Sequence, residues 1–160
     1  MFSFSPCTRA VALTAALLVA ACRKGEDPAR VPLAPATAEV ILRPIAGGEL
    51  MVKVRIARTE AERNRGLMHV QSMSENEGML FLMGSDEVQS FWMENTLIPL
   101  DMIFIDATMT VVGIVENAEP LTRTGRSVDR PSRYVLEVNG GWSARHGVGE
   151  GTAVRFKGVK

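Results

Sequence analysis

From Gly78 to Phe156 the apolar residues fall into short runs parted by turn residues, with no amphipathic stretch long enough for a crossover helix. The runs are Gly78 to Met83, Ser90 to Glu94, Leu100 to Asp106, Thr110 to Glu116, Arg133 to Val138 and Thr152 to Phe156. Each has strand length and turn-forming flanks. Leu100, Met102 and Phe104 occupy one parity of their run while Ile103 and Ile105 occupy the other, so that strand is expected to be covered on both faces. Upstream, Glu39 to Ile45 and Leu50 to Ile56 flank Gly47-Gly48, a pair that supplies positive φ for a hairpin. Thr59-Glu60-Ala61-Glu62 has the spacing of a capping box, and Gly66 is placed to end a short helix there. Asn139 is expected to cap a second short helix through Trp142, Ser143 and His146, with the last two at the surface. The expected fold is mainly β (α+β): one compact sandwich or barrel-like domain of about seven to eight strands with two short helices, not a βαβ fold.

The N-terminal part reads as targeting sequence. Arg9 precedes an uncharged apolar stretch, Ala10 to Ala21, too short to span a bilayer core, which needs roughly 20 residues. Val19-Ala20-Ala21-Cys22 resembles a bacterial lipobox, in which Cys22 is acylated and becomes the new N-terminus. The expected organisation is a signal peptide over 1–21, a lipidated Cys22 with a Pro/Ala-rich tether to 38, and a β-rich domain over 39–160. Arg23 after the cysteine favours the outer membrane or the periplasmic face of the envelope. Cys7 lies in the leader, so the mature chain keeps no free thiol, which excludes disulfides and a cysteine nucleophile. The whole chain has 18 basic and 18 acidic residues, and loss of Arg9 leaves it near neutral. That balance argues against a nucleic-acid partner, whose affinity rests on Lys and Arg neutralising phosphates.

Several blocks then carry a family resemblance: Arg65-Gly66-Leu67-Met68, Glu77-Gly78-Met79-Leu80-Phe81, Phe91-Trp92-Met93-Glu94-Asn95-Thr96, and Ile98-Pro99-Leu100-Asp101 running on to Asp106. With Val111 to Pro120 and Arg133 to Glu137, they resemble domain-of-unknown-function family 192 (DUF192) from about Val40 to Phe156, here in a lipoprotein-type member. The resemblance implies a secreted or membrane-tethered β-rich domain and brings no assigned reaction, ligand or cofactor. The chain departs from the family pattern twice. His69 stands where an aromatic or aliphatic residue is usual, and Thr108-Met109 replaces a glycine turn after Asp106.

The chemistry-bearing residues support a non-catalytic binding or accessory module as the leading function. Its candidate ligand contacts are Arg65, Trp92, Asn95, Thr96, Asp101, Glu116 and Glu137. An acid entering a sheet on an apolar face, as Asp101 does, must find a donor or change its protonation, either as a ligand contact or as a tie to turn amides. Arg65, leaning inward from its helix, suits a carboxylate or phosphate ligand or a structural ion pair equally. The alternative function is a hydrolase of envelope polymers that uses paired carboxylates. No nucleophile elbow, zincin motif or phosphate-binding loop is present. A further alternative is Cu(I) held by the soft donors Met68, His69 and Met93, weighed against methionine as core filler. The long loop from Glu119 to Ser132 carries Arg123, Arg126 and Arg130, a basic flap for an anionic envelope partner or a solvated mobile segment.

Overall fold

The computed structural model describes residues 35–159. The leader, Cys22 and the tether up to residue 34 lie outside these described residues. Among the described residues no helix is long and apolar enough to cross a membrane.

Seven strands form one curled sheet: β1 (Ala38–Arg43), β2 (Leu50–Ala57), β3 (Glu77–Glu87), β4 (Leu100–Ile105), β5 (Val111–Ala118), β6 (Ser132–Asn139) and β7 (Ala153–Lys157). Helices α1 (Glu60–Arg65) and α2 (Trp142–Arg145) complete the fold. The strand order is β5-β4-β6-β3-β2-β1-β7. The mainly β, barrel-like expectation with two short helices is met, as a half-barrel. Its edge strands come together at one end, where Val111 N donates to Thr152 O (2.9 Å) and Val154 N to Met109 O (2.8 Å).

Two features differ from the sequence expectation. Ser90 to Glu94 is not a ladder strand; Phe91 makes an isolated bridge to Arg126, in a loop. The chain also contains one β-α-β unit, because β2 and β3 pair in parallel (Lys53↔Glu77 to Ala57↔Phe81) across a connection that holds α1. A six-residue helix in a long connection suffices for the crossover, and the amphipathic pattern of so short a helix is weak. Every other pairing is antiparallel.

The both-parity strands divide their side chains between two cores. Ile103 and Ile105 of β4 and Leu136 and Val138 of β6 join Val40, Leu42, Val52, Val54, Leu80 and Trp142 inside the curl. On the outer face Leu100, Met102, Phe104 and Val135 join Ala57, Leu67, Phe81 and Met93 under the long connections. Gly78 is required where β3 crosses β6, since a Cβ there would lie 2.4 Å from the carbonyl oxygen of Glu137.

The curl is stoppered by α2, and a buried acid holds the stopper. Asp101 Oδ1 accepts from Asn117 N (2.9 Å) and Gly141 N (2.8 Å), and Oδ2 accepts from Ser143 N (2.8 Å). The cap of α2 is therefore not Asn139: Gly141 stands at the cap in a left-handed conformation with no side-chain bond of its own. Asn139 instead donates to Met73 O and Ser74 O (both 3.1 Å). Ser143 and His146 are not surface residues. Ser143 is fully buried, and His146 is half-buried with its ring stacked on Trp142 at 4.4 Å. Asp101→Ala leaves three backbone donors without an acceptor and should cost about 3 to 5 kcal/mol. Asp101→Asn, which keeps one acceptor oxygen, should cost less. Urea unfolding followed by Trp142 emission gives the order; equal midpoints for wild type and Asp101→Ala would refute the anchor.

Candidate functional site

Among the described residues a pocket opens in the outer core between α1 and the segment that follows β3. Thr59 begins α1 with the expected capping box: Glu62 N donates to Thr59 Oγ1 (3.2 Å), and Thr59 N to Glu62 Oε2 (2.9 Å). Gly66 ends it with φ 46° and ψ −132°, outside the left-handed helical well expected from the sequence. Its lack of a Cβ lets the chain lie on the Phe81 ring, which such an atom would meet at 3.3 Å. Arg63, Arg65, Leu67 and Met68 thereby overhang the end of β3. The facing wall is Ser90 to Thr96. His69 N donates to Asn95 O (2.8 Å) and Met93 N to Thr122 O (2.9 Å), which fixes that wall to α1's exit on one side and to the long loop on the other.

The resulting pocket has a volume of about 140 Å³. Leu67, Met68, Phe81, Met83 and Phe91 form its apolar walls, Arg63 and Arg65 one rim, and Ser90 and Thr96 add hydroxyls. The Phe91 ring stands edge-on to Phe81 (5.1 Å) and Phe104 (6.0 Å), a geometry that holds the wall rigid. Trp92, 51% exposed, lies at the mouth.

Glu137 is the floor. It sits in β6 between Met79 of β3 and Met102 of β4, 4% exposed, and its carboxyl makes no hydrogen bond among the described residues. Burial pushes that carboxyl up to about 8, so at neutral pH it is mostly an uncharged acid able to donate a hydrogen bond. Arg63 does not neutralise it; its Nη1 is engaged by the carbonyls of Arg58 and Leu82. Arg65 is exposed at the rim and, among the described residues, has no ion-pair partner.

Four of the seven ligand contacts expected from sequence therefore meet in one pocket: Arg65, Trp92, Thr96 and Glu137. Arg65 reaches it from the solvent side rather than leaning into the body. Asn95 is exposed beside the pocket in a left-handed conformation, its amide 4.0 Å from Met68 Sδ. Asp101 is absent from the pocket, both its oxygens engaged by backbone, and Glu116 is exposed on β5. Among the described residues one carboxyl, that of Glu137, lines the pocket, so the facing acids of the hydrolase reading are not brought together here. Among the proposed copper donors Met93 is fully buried in the outer core, Met68 half-buried in the pocket wall and His69 exposed.

The basic loop is fastened rather than free. Phe91 and Arg126 exchange both backbone bonds (2.9 and 2.7 Å), and Leu121 N donates to Thr96 O (3.1 Å). Arg126 also donates to Thr122 Oγ1 (2.8 Å) and Thr124 O (2.9 Å), Arg123 pairs with Glu94, and Arg130 is exposed. The pocket residues missed by sequence reasoning include Arg63, Leu67, Phe81, Met83, Ser90 and Phe91. Their strand and helix periodicity marks them as core or surface, and only the crossover of β2 onto β3 brings them together.

The sequence profile of DUF192, described as Uncharacterized ACR, matches residues 43–156. No curated protein matches the chain. A crystal structure from Sinorhizobium meliloti 1021, of a protein with the provisional name of a transcription regulator, is similar with a TM-score of 0.74 and 34% identity. The likeness covers 80% of this chain and 100% of that one. A protein of unknown function from Novosphingobium aromaticivorans DSM 12444 is similar with a TM-score of 0.72 and 34% identity, over 82% of this chain and 98% of that one.

The protonation of Glu137 has a consequence for stability. Its folded-state value, near 8, exceeds the ordinary 4.5, so the native state keeps a proton that the unfolded chain has released. Stability from this group is complete below about pH 4.5 and is lost as pH rises toward about 8, a loss of a few kcal/mol. Glu137→Gln should remove that slope and be more stable than wild type at pH 9. Parallel urea titrations at pH 5, 7 and 9 test it; identical slopes for the two proteins would refute a desolvated acid at this position.

Proposed function

This chain belongs to the uncharacterised DUF192 family, and from that premise we propose that it is a non-catalytic binding module of the cell envelope, held to a membrane through lipidated Cys22. The ligand site is the pocket between α1 and Ser90 to Thr96. The observation that carries this reading is Glu137: an acid only 4% exposed that makes no hydrogen bond among the described residues and lines a cavity that opens to solvent. A desolvated polar group with no partner costs stability, and such costs gather at sites where a ligand completes the bonding. Rigid aromatic walls with few polar groups are the usual composition of a small-molecule pocket.

Binding is favoured over hydrolysis by the acid count. Paired-carboxylate hydrolysis requires two acids about 5 to 9.5 Å apart across one cleft, and among the described residues this cleft is lined by one acid, Glu137. The anchoring half of the reading rests on the Val19-Ala20-Ala21-Cys22 run and the Pro/Ala-rich segment after it. Two acyl chains there give stable attachment where one does not.

Each half has its own test. Cys22→Ser should move the protein from the membrane to the soluble fraction, and persistence in the membrane would refute the lipid anchor. For the pocket, a screen of envelope glycan fragments and small metabolites by thermal shift should find stabilising compounds. A ligand at 100 times its Kd adds about 2.7 kcal/mol, and Trp92→Ala should abolish the gain for any compound seated in the pocket.

A further inference from the structure

The pocket's chemistry is graded from rim to floor, and the grading selects a ligand class. A volume of about 140 Å³ is close to that of an apolar cavity that admits one benzene molecule, about 150 Å³. The walls supply what a six-membered ring needs. Phe81 and Phe91 are locked edge to face at 5.1 Å, and the half-exposed Trp92 offers a flat apolar face at the mouth. At the rim Arg65 is a guanidinium without an ion pair among the described residues, the donor fork that matches a carboxylate. The floor is the unpartnered Glu137 carboxyl, between Met79 and Met102 in the sheet.

We propose that the pocket binds a small acid built on one six-membered ring, with the ring against Trp92 and Phe91, its carboxylate on Arg65, and a ring substituent hydrogen-bonded to Glu137. The assignment rests on the reading of this cavity as a ligand site. A cationic ligand is disfavoured because the charged groups facing the pocket among the described residues are Arg63, Arg65 and Glu137. Burial keeps the one acid among them uncharged at neutral pH. A bare phosphate or sulfate satisfies Arg65 but leaves the aromatic walls uncovered. Two sources share the required chemistry, an aromatic carboxylic acid and a hexuronic acid of an envelope polysaccharide.

Titrations of the full-length chain in non-ionic detergent distinguish them, with tryptophan emission as the signal and Trp92→Phe, which keeps only the fully buried Trp142, as the reference for the Trp92 contribution. The probes are benzoate, galacturonate and their neutral counterparts, benzyl alcohol and methyl galactoside. One of the acids should bind, and which one does identifies the source. Its neutral counterpart should bind at least about tenfold more weakly, a difference of about 1.4 kcal/mol. Arg65→Met should remove that preference, and this exposed side chain can be changed without disturbing the core. Above about pH 8 the acid should be released from wild type and retained by Glu137→Gln, because only wild type then places a second negative charge beside it. Neutral rings binding as well as acids would overturn the ligand class and leave the cavity as a binding site. If no ring compound changes Trp92 emission or the melting temperature, both the class and the site reading fall.

Discussion

Three backbone N–H groups converge on the carboxylate of Asp101, and the stoppered end of the half-barrel depends on that convergence. Asp101 lies in β4 opposite Val138, fully buried. Its partners come from the end of β5 and from both residues that flank Trp142. The first turn of any helix presents N–H groups that no intrahelical carbonyl accepts. Here a residue 42 positions upstream accepts the one from Ser143. With its backbone held in this way, Trp142 reaches the inner core with no exposed surface, and Gly140 N closes on Pro99 O at 2.9 Å. A Cβ on Gly140 would come within 2.8 Å of Asn117 Oδ1 and 3.0 Å of Pro99, so a larger residue in that corner would displace the Asn117 side chain and press on Pro99.

Asp101 and Glu137 show two fates of a carboxyl in the same sheet. Both lie in central strands and both are buried. Asp101 shares the parity of Ile103 and Ile105 at the end of the inner core, where backbone donors surround it. Glu137 shares the parity of Val135 on the outer face, where its strand neighbours are the thioethers of Met79 and Met102. Among the described residues no donor reaches it, and burial keeps the proton on at neutral pH. Local sequence does not separate these outcomes. Each is an acid among alternating apolar residues, and the difference comes from the chain that returns over it.

That contrast marks how far the sequence could be read. The capping box of α1, the positive φ of Gly47 and Gly48, and the two-faced character of β4 are local properties, and each is found in the structure. The parallel β2–β3 pairing, the cap of α2 and the fate of Ser90 to Glu94 depend on partners tens of residues away, which periodicity cannot register. For Glu137 the sequence suggested the residue type, and the fold supplied the desolvation. Two positions singled out in the sequence share a physical description. His69 and Met109 both adopt positive φ, 63° and 64°, a conformation that costs an L-residue about 1 to 2 kcal/mol. Asp106 Oδ1 offsets the second by accepting from Thr108 N (2.9 Å) and Thr110 N (3.0 Å), which preforms the turn. Met109 packs its side chain on the inner core and gives its carbonyl to Val154, a contact that joins the two sheet edges.

The pocket is built on segments without regular structure that are fastened to one another by backbone bonds. Three connections cross the outer core: residues 58–76, which carry α1, residues 88–99, and residues 119–131. Connections of this length are ordinarily mobile, and mobility at a binding site adds an ordering cost to every ligand. Here they fasten one another. His69 N bonds Asn95 O, Met93 N bonds Thr122 O, Leu121 N bonds Thr96 O, and Phe91 pairs with Arg126. Val128 packs over Gly113, where a Cβ would approach to 2.7 Å, so the third connection is seated directly on β5. The middle connection, which carries Trp92 and Thr96, is thus held between the other two. The order of the pocket walls comes from backbone bonds among the connections.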